Sequence, residues 1–124
     1  MRLLLDTHAL LSLLFADGRL SASAHEAMER PQARLLVSVV SIWEIAIKRS
    51  VGKLNAPADA LARIEGADAE LLTITARHAD ATGGLPLHHR DPFDRLLIAQ
   101  AQLERCAIVT SDGAIGLYDV PIVW

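Results

Sequence analysis

HHRDPFDRLLIAQA, residues His88 to Ala101, combines the chain's strongest helix start with a very apolar helix body. Asp is a preferred N-cap, and Pro at the first helical position has its φ preset and no N–H to lose, so Asp91 and Pro92 set the register. Asp94 then falls at the third helical position, beside free backbone N–H groups and the positive end of the helix dipole. Leu96, Leu97, Ile98, Ala99 and Ala101 leave little polar face, which predicts a helix packed between layers rather than lying on a surface. Taken alone, Asp94 is a capping acid. It becomes a site residue only if other carboxylates are placed in the same way.

Working outward toward the N-terminus, Leu3, Leu4 and Leu5 form a short apolar run ending at Asp6, which suits a strand buried on both faces. A helix over about 9–16 follows and is stopped by Asp17 and Gly18. Ser21 or Ser23 caps a second helix to about Arg30, closed by Pro31. Residues 33–40, ARLLVSVV, read as the next buried strand. Ser41 then opens a helix to about Ser50, stopped near Gly52, with Ser41 and Glu44 matching the S-x-x-E capping box. Pro57 starts an element ending near Gly66, residues 71–74 make a short strand, and Thr75 caps a helix to about Thr82 that Gly83 and Gly84 end.

After the 88–101 stretch, Ala107 to Thr110 is a buried strand leading into Ser111, Asp112 and Gly113. Val120 to Trp124 reads as an edge strand, a place that tolerates Pro121. Strands alternating with helices predict one α/β domain over residues 1–124, with a central parallel sheet of about five short strands covered on both sides.

Composition bounds the function. A chain of 124 residues buries roughly two-thirds of the surface its unfolded form exposes, enough for a real core. With 52% hydrophobic and 22% charged residues it is not a disordered segment. A net charge of −3 excludes a grip on nucleic acid through bulk positive charge, while leaving room for a local basic rim. The single cysteine, Cys106, cannot form an internal disulfide and reads as a small buried hydrophobe, which fits a reducing cytoplasm. No apolar run is long enough to cross a membrane, and Asp6 and His8 break the N-terminal run that would otherwise resemble a signal peptide.

In a parallel sheet, ligands gather at the carboxyl ends of the strands. Asp6 and Asp112 directly follow two predicted strands, while Glu44 and Asp94 fall in the first turns of predicted helices. All four can therefore face one crevice. Two carboxylates about 5 Å apart repel by about 3 kcal/mol at an effective dielectric of 20, so four acids need a cation or protons. An all-oxygen set suits Mg²⁺ or Mn²⁺ better than zinc. A hydrated cation held beside a phosphate points to phosphodiester hydrolysis. Thr7, Thr110 and Ser111 lie next to the acids and can hydrogen-bond them or a water.

LLLDTHALL around Asp6, SIWEIAIK around Glu44, HHRDPFDRLLIAQA around Asp94 and IVTSD ending at Asp112 resemble the four acidic positions of PIN-domain ribonucleases. More closely, the chain resembles VapC-type toxins of bacterial toxin–antitoxin pairs, nearly end to end and in order. The resemblance implies a three-layer α/β/α PIN-like domain and a Mg²⁺- or Mn²⁺-dependent endoribonuclease that cleaves RNA with metal-activated water. It also implies a dimer silenced by a cognate VapB-type antitoxin that inserts into the active-site groove. Asp91 is assigned to capping and support of the site.

Lys48, Arg49, Arg90 and Arg95 lie near the acidic motifs and suit phosphate contacts at the rim of the pocket, although each is also ordinary surface charge. His8, His88 and His89 have no regular ligand spacing and are not read as a zinc site. Trp43 and Trp124 read as core or interface anchors, and the chain lacks the aromatic face of a single-strand binding module. Two other classes compete. A phosphatase with an aspartyl nucleophile matches Asp6-Thr7 after an apolar strand but has His8 where its second acid belongs. A non-catalytic binding module predicts no metal dependence.

Overall fold

A computed structural model describes residues 1–124. Its elements run β1 (Arg2–Leu5), α1 (Thr7–Phe15), α2 (Ala22–Glu29), β2 (Arg34–Ser38), α3 (Val39–Ser50), α4 (Ala60–Gly66), β3 (Glu70–Leu72), α5 (Ala76–Ala81), α6 (Pro92–Glu104), β4 (Ala107–Val109) and β5 (Ile122–Val123). Short 3-10 turns occupy Thr82–Gly84 and Ile115–Leu117. The five strands form one sheet in the order β3-β2-β1-β4-β5, and every pairing is parallel. Strand order reverses between β1 and β4, so a crevice opens beyond their carboxyl ends, where α/β sheets bind ligands.

Successive strand residues face opposite sides, and the two cores follow that alternation. Leu3, Leu5, Val37 and Val109 pack with Leu10, Leu11, Ala24, Ala27 and Ile64 from α1, α2 and α4. Leu4, Leu36 and Ile108 pack on the other face with Leu97, Ile98, Ala99 and Ala101 of α6. The α3 helix serves both faces, since Ile45 belongs to the first core and Val40 to the second. The result is a three-layer α/β/α sandwich. Cys106 is buried in the second core, where burial pushes its thiol up from its ordinary value. No helix is long and apolar enough to cross a membrane.

The register expected of α6 is the one found. Asp91 accepts from the N–H groups of Phe93 at 2.8 Å and Asp94 at 3.2 Å, with Pro92 leading the helix. Five consecutive residues, Leu97 to Ala101, are buried, as its apolar composition requires. Elsewhere boundaries move. Helix α1 starts at Thr7 rather than near Ala9, because the Asp6 carboxylate accepts the Ala9 N–H at 2.7 Å and caps it. The expected start at Pro57 gives way to α4 beginning at Ala60. Strand β3 lies one to two residues earlier than read.

The largest correction is at α3. The strand expected to reach Val40 ends at Ser38, and Ser38 rather than Ser41 is the N-cap, accepting the Val40 N–H at 3.0 Å. Ser38 also donates to Gln100 Oε1 of α6 at 2.5 Å, a bond to a residue 62 positions away. Val39 and Val40 favour strand by a few tenths of a kcal/mol, whereas seating the Val40 side chain in the core contributes about 1.5–3 kcal/mol. Packing wins. Glu44 is therefore the sixth residue of α3, past its first turn, and no Ser41–Glu44 capping box forms.

Candidate metal centre

Register brings the first two acids together. Leu5 lies opposite Val109, and the Asp6 N–H bonds the Val109 carbonyl at 3.1 Å, so the chain leaves β1 and β4 side by side. Asp6, 3% exposed, sits at the mouth of this gap as the cap of α1. Asp112 follows in the loop after β4, with the Ala114 N–H donating to Oδ1 at 2.8 Å. Thr110 accepts the Asp112 N–H at 3.0 Å, and its hydroxyl also lies against the Asp6 carboxylate.

Glu44 enters from α3 and is 4% exposed. Thr7 donates its hydroxyl to Oε1 at 2.6 Å, and Lys48, one turn on, pairs with Oε2. The Glu44 partnership raises the Lys48 ammonium above its ordinary value. Asp94 enters from the first turn of α6, but its carboxylate is not a cap. It turns to His89, whose Nε2 lies 3.1 Å from Asp94 Oδ2 and 2.9 Å from Asp112 Oδ2. Ligand atoms of His89, Asp94 and Asp112 all lie within 4.8 Å of one another.

The electrostatics report crowding. Burial, then the negative charges of Asp91 and Glu44, raise the Asp94 carboxyl from 3.8 to about 7. Burial raises Asp6 as well, with Asp112 adding to the effect. Burial also works to raise Asp112, but hydrogen bonds from His89 and the Ala114 N–H outweigh it and hold this carboxyl below its ordinary value. The one cation built into the pocket, Lys48, is committed to Glu44. Asp6, Asp94 and Asp112 share no comparable positive partner. Hard oxygen donors with an uncompensated charge fit a divalent cation.

All four acids expected from the sequence thus converge, though Glu44 does so from the second turn of its helix. His89 is the residue the sequence reading missed. The clue was its place two residues before the Asp91 cap, close enough for its ring to reach the Asp91 N–H. His8 and His88 are exposed, and His88 lies edge-on to Tyr118. Most of the basic residues expected at the rim have partners within the chain. Arg95 donates to the carbonyls of Pro86, His89, Thr82 and Leu85, which makes it a clamp on the 82–89 loop. Arg49 bonds the Pro57 carbonyl and Lys48 pairs with Glu44, which leaves Arg90 exposed and unpaired.

Hollows flank the acids. One of about 840 Å³ opens from Asp6 and is lined by His8, Phe15, Arg19, Ser111 and Trp124. The other, about 410 Å³, runs beside Trp43, Phe93 and Arg90. Trp43 is not core: it is 54% exposed and meets Phe93 edge-on at 5.2 Å. Trp124 is also exposed, at 38%.

An all-parallel α/β/α sandwich with a cluster of buried and half-buried carboxylates at its switch point defines the class. Within it, a family model for the PIN domain matches residues 3–121. The chain belongs to the PIN-domain family. Its fold is similar to VapBC2 from Rickettsia felis bound to a DNA fragment from its promoter, with a TM-score of 0.69 and 15% identity over 98% of this chain and 97% of that one. It is also similar to DNA-bound VapBC from Salmonella typhimurium, with a TM-score of 0.66 and 21% identity over 98% and 96%. VapBC-1 from nontypeable Haemophilus influenzae matches at 0.66 and 17%, over the same shares. No curated protein matches the chain by sequence.

Proposed function

We propose that the protein is a Mg²⁺- or Mn²⁺-dependent endoribonuclease, the toxin of a VapBC-type toxin–antitoxin pair. The observation that carries this reading is the charge imbalance at the switch point of a PIN domain: Asp6, Asp94 and Asp112 converge there with no cation of their own. A divalent cation bound there would supply orientation of the attacking water and stabilisation of charge on the phosphorus and the leaving oxygen. Asp6, Asp94 and Asp112 offer the oxygens to hold it. Glu44 is fixed by Thr7 and Lys48 and adds negative charge at the inner wall. Asp91 caps α6 and so aims Asp94, while Thr110 accepts the Asp112 N–H and Ser111 lines the hollow beside Asp6. Asp94, held near 7 by burial and by the charges of Asp91 and Glu44, ionises once a cation is placed beside it.

The hollow opening from Asp6 has the size of a ligand site; Arg19, paired with Asp17 at 3.7 Å, lines it, and Arg90 lines the second hollow and offers an unpaired positive charge for an RNA backbone. Partners follow from a second feature. Trp43, Ile47 and Val51 recur every four residues along α3 and its end, and all are exposed. An apolar stripe of that kind suits a homodimer. The solved VapBC structures pair a toxin with its antitoxin, which supports a VapB-type partner here. A single buried cysteine fits a cytoplasmic protein.

The deciding experiment incubates structured and single-stranded RNA with the purified protein in Mg²⁺, Mn²⁺ or EDTA, beside the Asp94→Asn variant. Cleavage is expected with either metal, and the variant should fall to the EDTA background while remaining folded. Cleavage that persists in EDTA, or that the variant sustains at the parent's rate, would sink the mechanism. Sedimentation that finds only monomer would remove the homodimer.

A further inference from the structure

His89 is held more tightly than a surface-loop histidine needs to be. Its N–H donates to the Tyr118 hydroxyl at 2.9 Å, and its carbonyl accepts from Arg95 at 3.2 Å. Tyr118 and Arg95 both also bond the Pro86 carbonyl, at 2.6 and 2.9 Å, so the loop is tied at both ends of this segment. The ring is fixed too. Its Nδ1 accepts the Asp91 N–H at 3.1 Å, from the residue that caps α6. The side chain is 15% exposed.

The Asp91 bond decides what the ring does. A nitrogen that accepts an N–H carries no proton, so the neutral ring has its proton on Nε2. Nε2 is the atom that faces Asp94 and Asp112. It is a donor there and has no lone pair for a metal, even though its position among two carboxylates resembles a ligand's. Asp112 is the site acid that needs such a donor: it sits on a loop, whereas Asp6, Glu44 and Asp94 are carried by helices or their caps.

We propose that His89 is a positioning residue, whose Nε2–H holds Asp112 against Asp94 in the orientation that receives the divalent cation. The inference rests on the metal-site reading above. Outer donors to ligating carboxylates change metal affinity by about 10- to 100-fold when removed. His89→Ala should therefore bind Mn²⁺ about 10- to 100-fold more weakly in calorimetric titration. His89→Gln, whose amide nitrogen can stand where Nε2 stands, should recover affinity to within a few-fold of the parent.

The ¹⁵N shifts of the His89 ring give a test that needs no variant. In the Mg²⁺-loaded parent they should report a proton on Nε2. Unchanged affinity in His89→Ala, affinity in His89→Gln as weak as in His89→Ala, or an Nε2 without a proton each overturns the positioning role. If the parent itself takes up no Mn²⁺, the metal-site reading falls and this inference with it, whereas uptake by the parent and by His89→Ala alike overturns this inference alone.

Discussion

Asp94 carries the heaviest electrostatic load in the molecule. Its carboxyl is raised from 3.8 to about 7 by burial and by Asp91 and Glu44, so the folded protein binds a proton there that the unfolded chain has already released. Stability from this group is fully present below about pH 4 and is lost as pH climbs through 7. Asp94→Asn removes that dependence. In EDTA the variant should melt above the parent at pH 8, with the gap narrowing toward pH 4, as followed by circular dichroism. A parent that gains stability from pH 4 to 8 relative to the variant would contradict the sign. Tyr118 gives a second test at this scale. Its buried hydroxyl serves the Pro86 carbonyl and the His89 N–H together, so Tyr118→Phe should destabilise by about 1–2 kcal/mol in urea titration.

At the scale of elements, helix ends decide where side chains go. The Asp6 cap makes one carboxylate both the start of α1 and a wall of the pocket, and Asp91 does the like for α6 by setting the turn that aims Asp94. The other end of α1 is strained. Ala16 closes it at φ 49 and ψ 44, a left-handed conformation that favours glycine, and it is solvent-exposed. Ala16→Gly should raise stability by about 1 kcal/mol without touching the site, seen as a shifted urea midpoint with unchanged Mn²⁺ affinity. A lowered midpoint would show that unfolded-chain entropy outweighs the relief of strain.

At the scale of the whole molecule, the pocket exists because β1 and β4 are neighbours while about a hundred residues separate them in sequence. Folding therefore forces acids together, and a ligand that binds the folded state alone should return the difference. Mn²⁺ at 100 times its dissociation constant should add about 2.7 kcal/mol, or roughly 10 °C in melting temperature for a chain this size. A melting temperature that stays flat through millimolar Mn²⁺ would count against the centre. The exposed Trp43–Ile47–Val51 stripe makes a separate demand. Trp43→Ala should shift sedimentation toward monomer while leaving the metal-linked melting shift in place.

What the sequence determined by itself was whatever is enforced within about one helical turn. Asp91 and Pro92 dictate the start of α6, apolar runs such as Leu3 to Leu5 dictate buried strands, and the alternation of strands with helices dictates a parallel α/β sandwich. Asp6, Asp94 and Asp112 were legible because each lies next to such a local punctuation mark, whereas Glu44 was reached through a capping box that does not form. Tertiary structure decided the remainder. Ser38 displaced Ser41 as the cap of α3 because Val40 had a core to enter and Gln100 a bond to accept. Glu44 faces Thr7, and Arg95 holds a loop, because their partners come from elsewhere in the fold. His89 joined the site on the same ground: its two carboxylates are contributed by α6 and by the loop after β4, and only the packed sheet sets the distance between them.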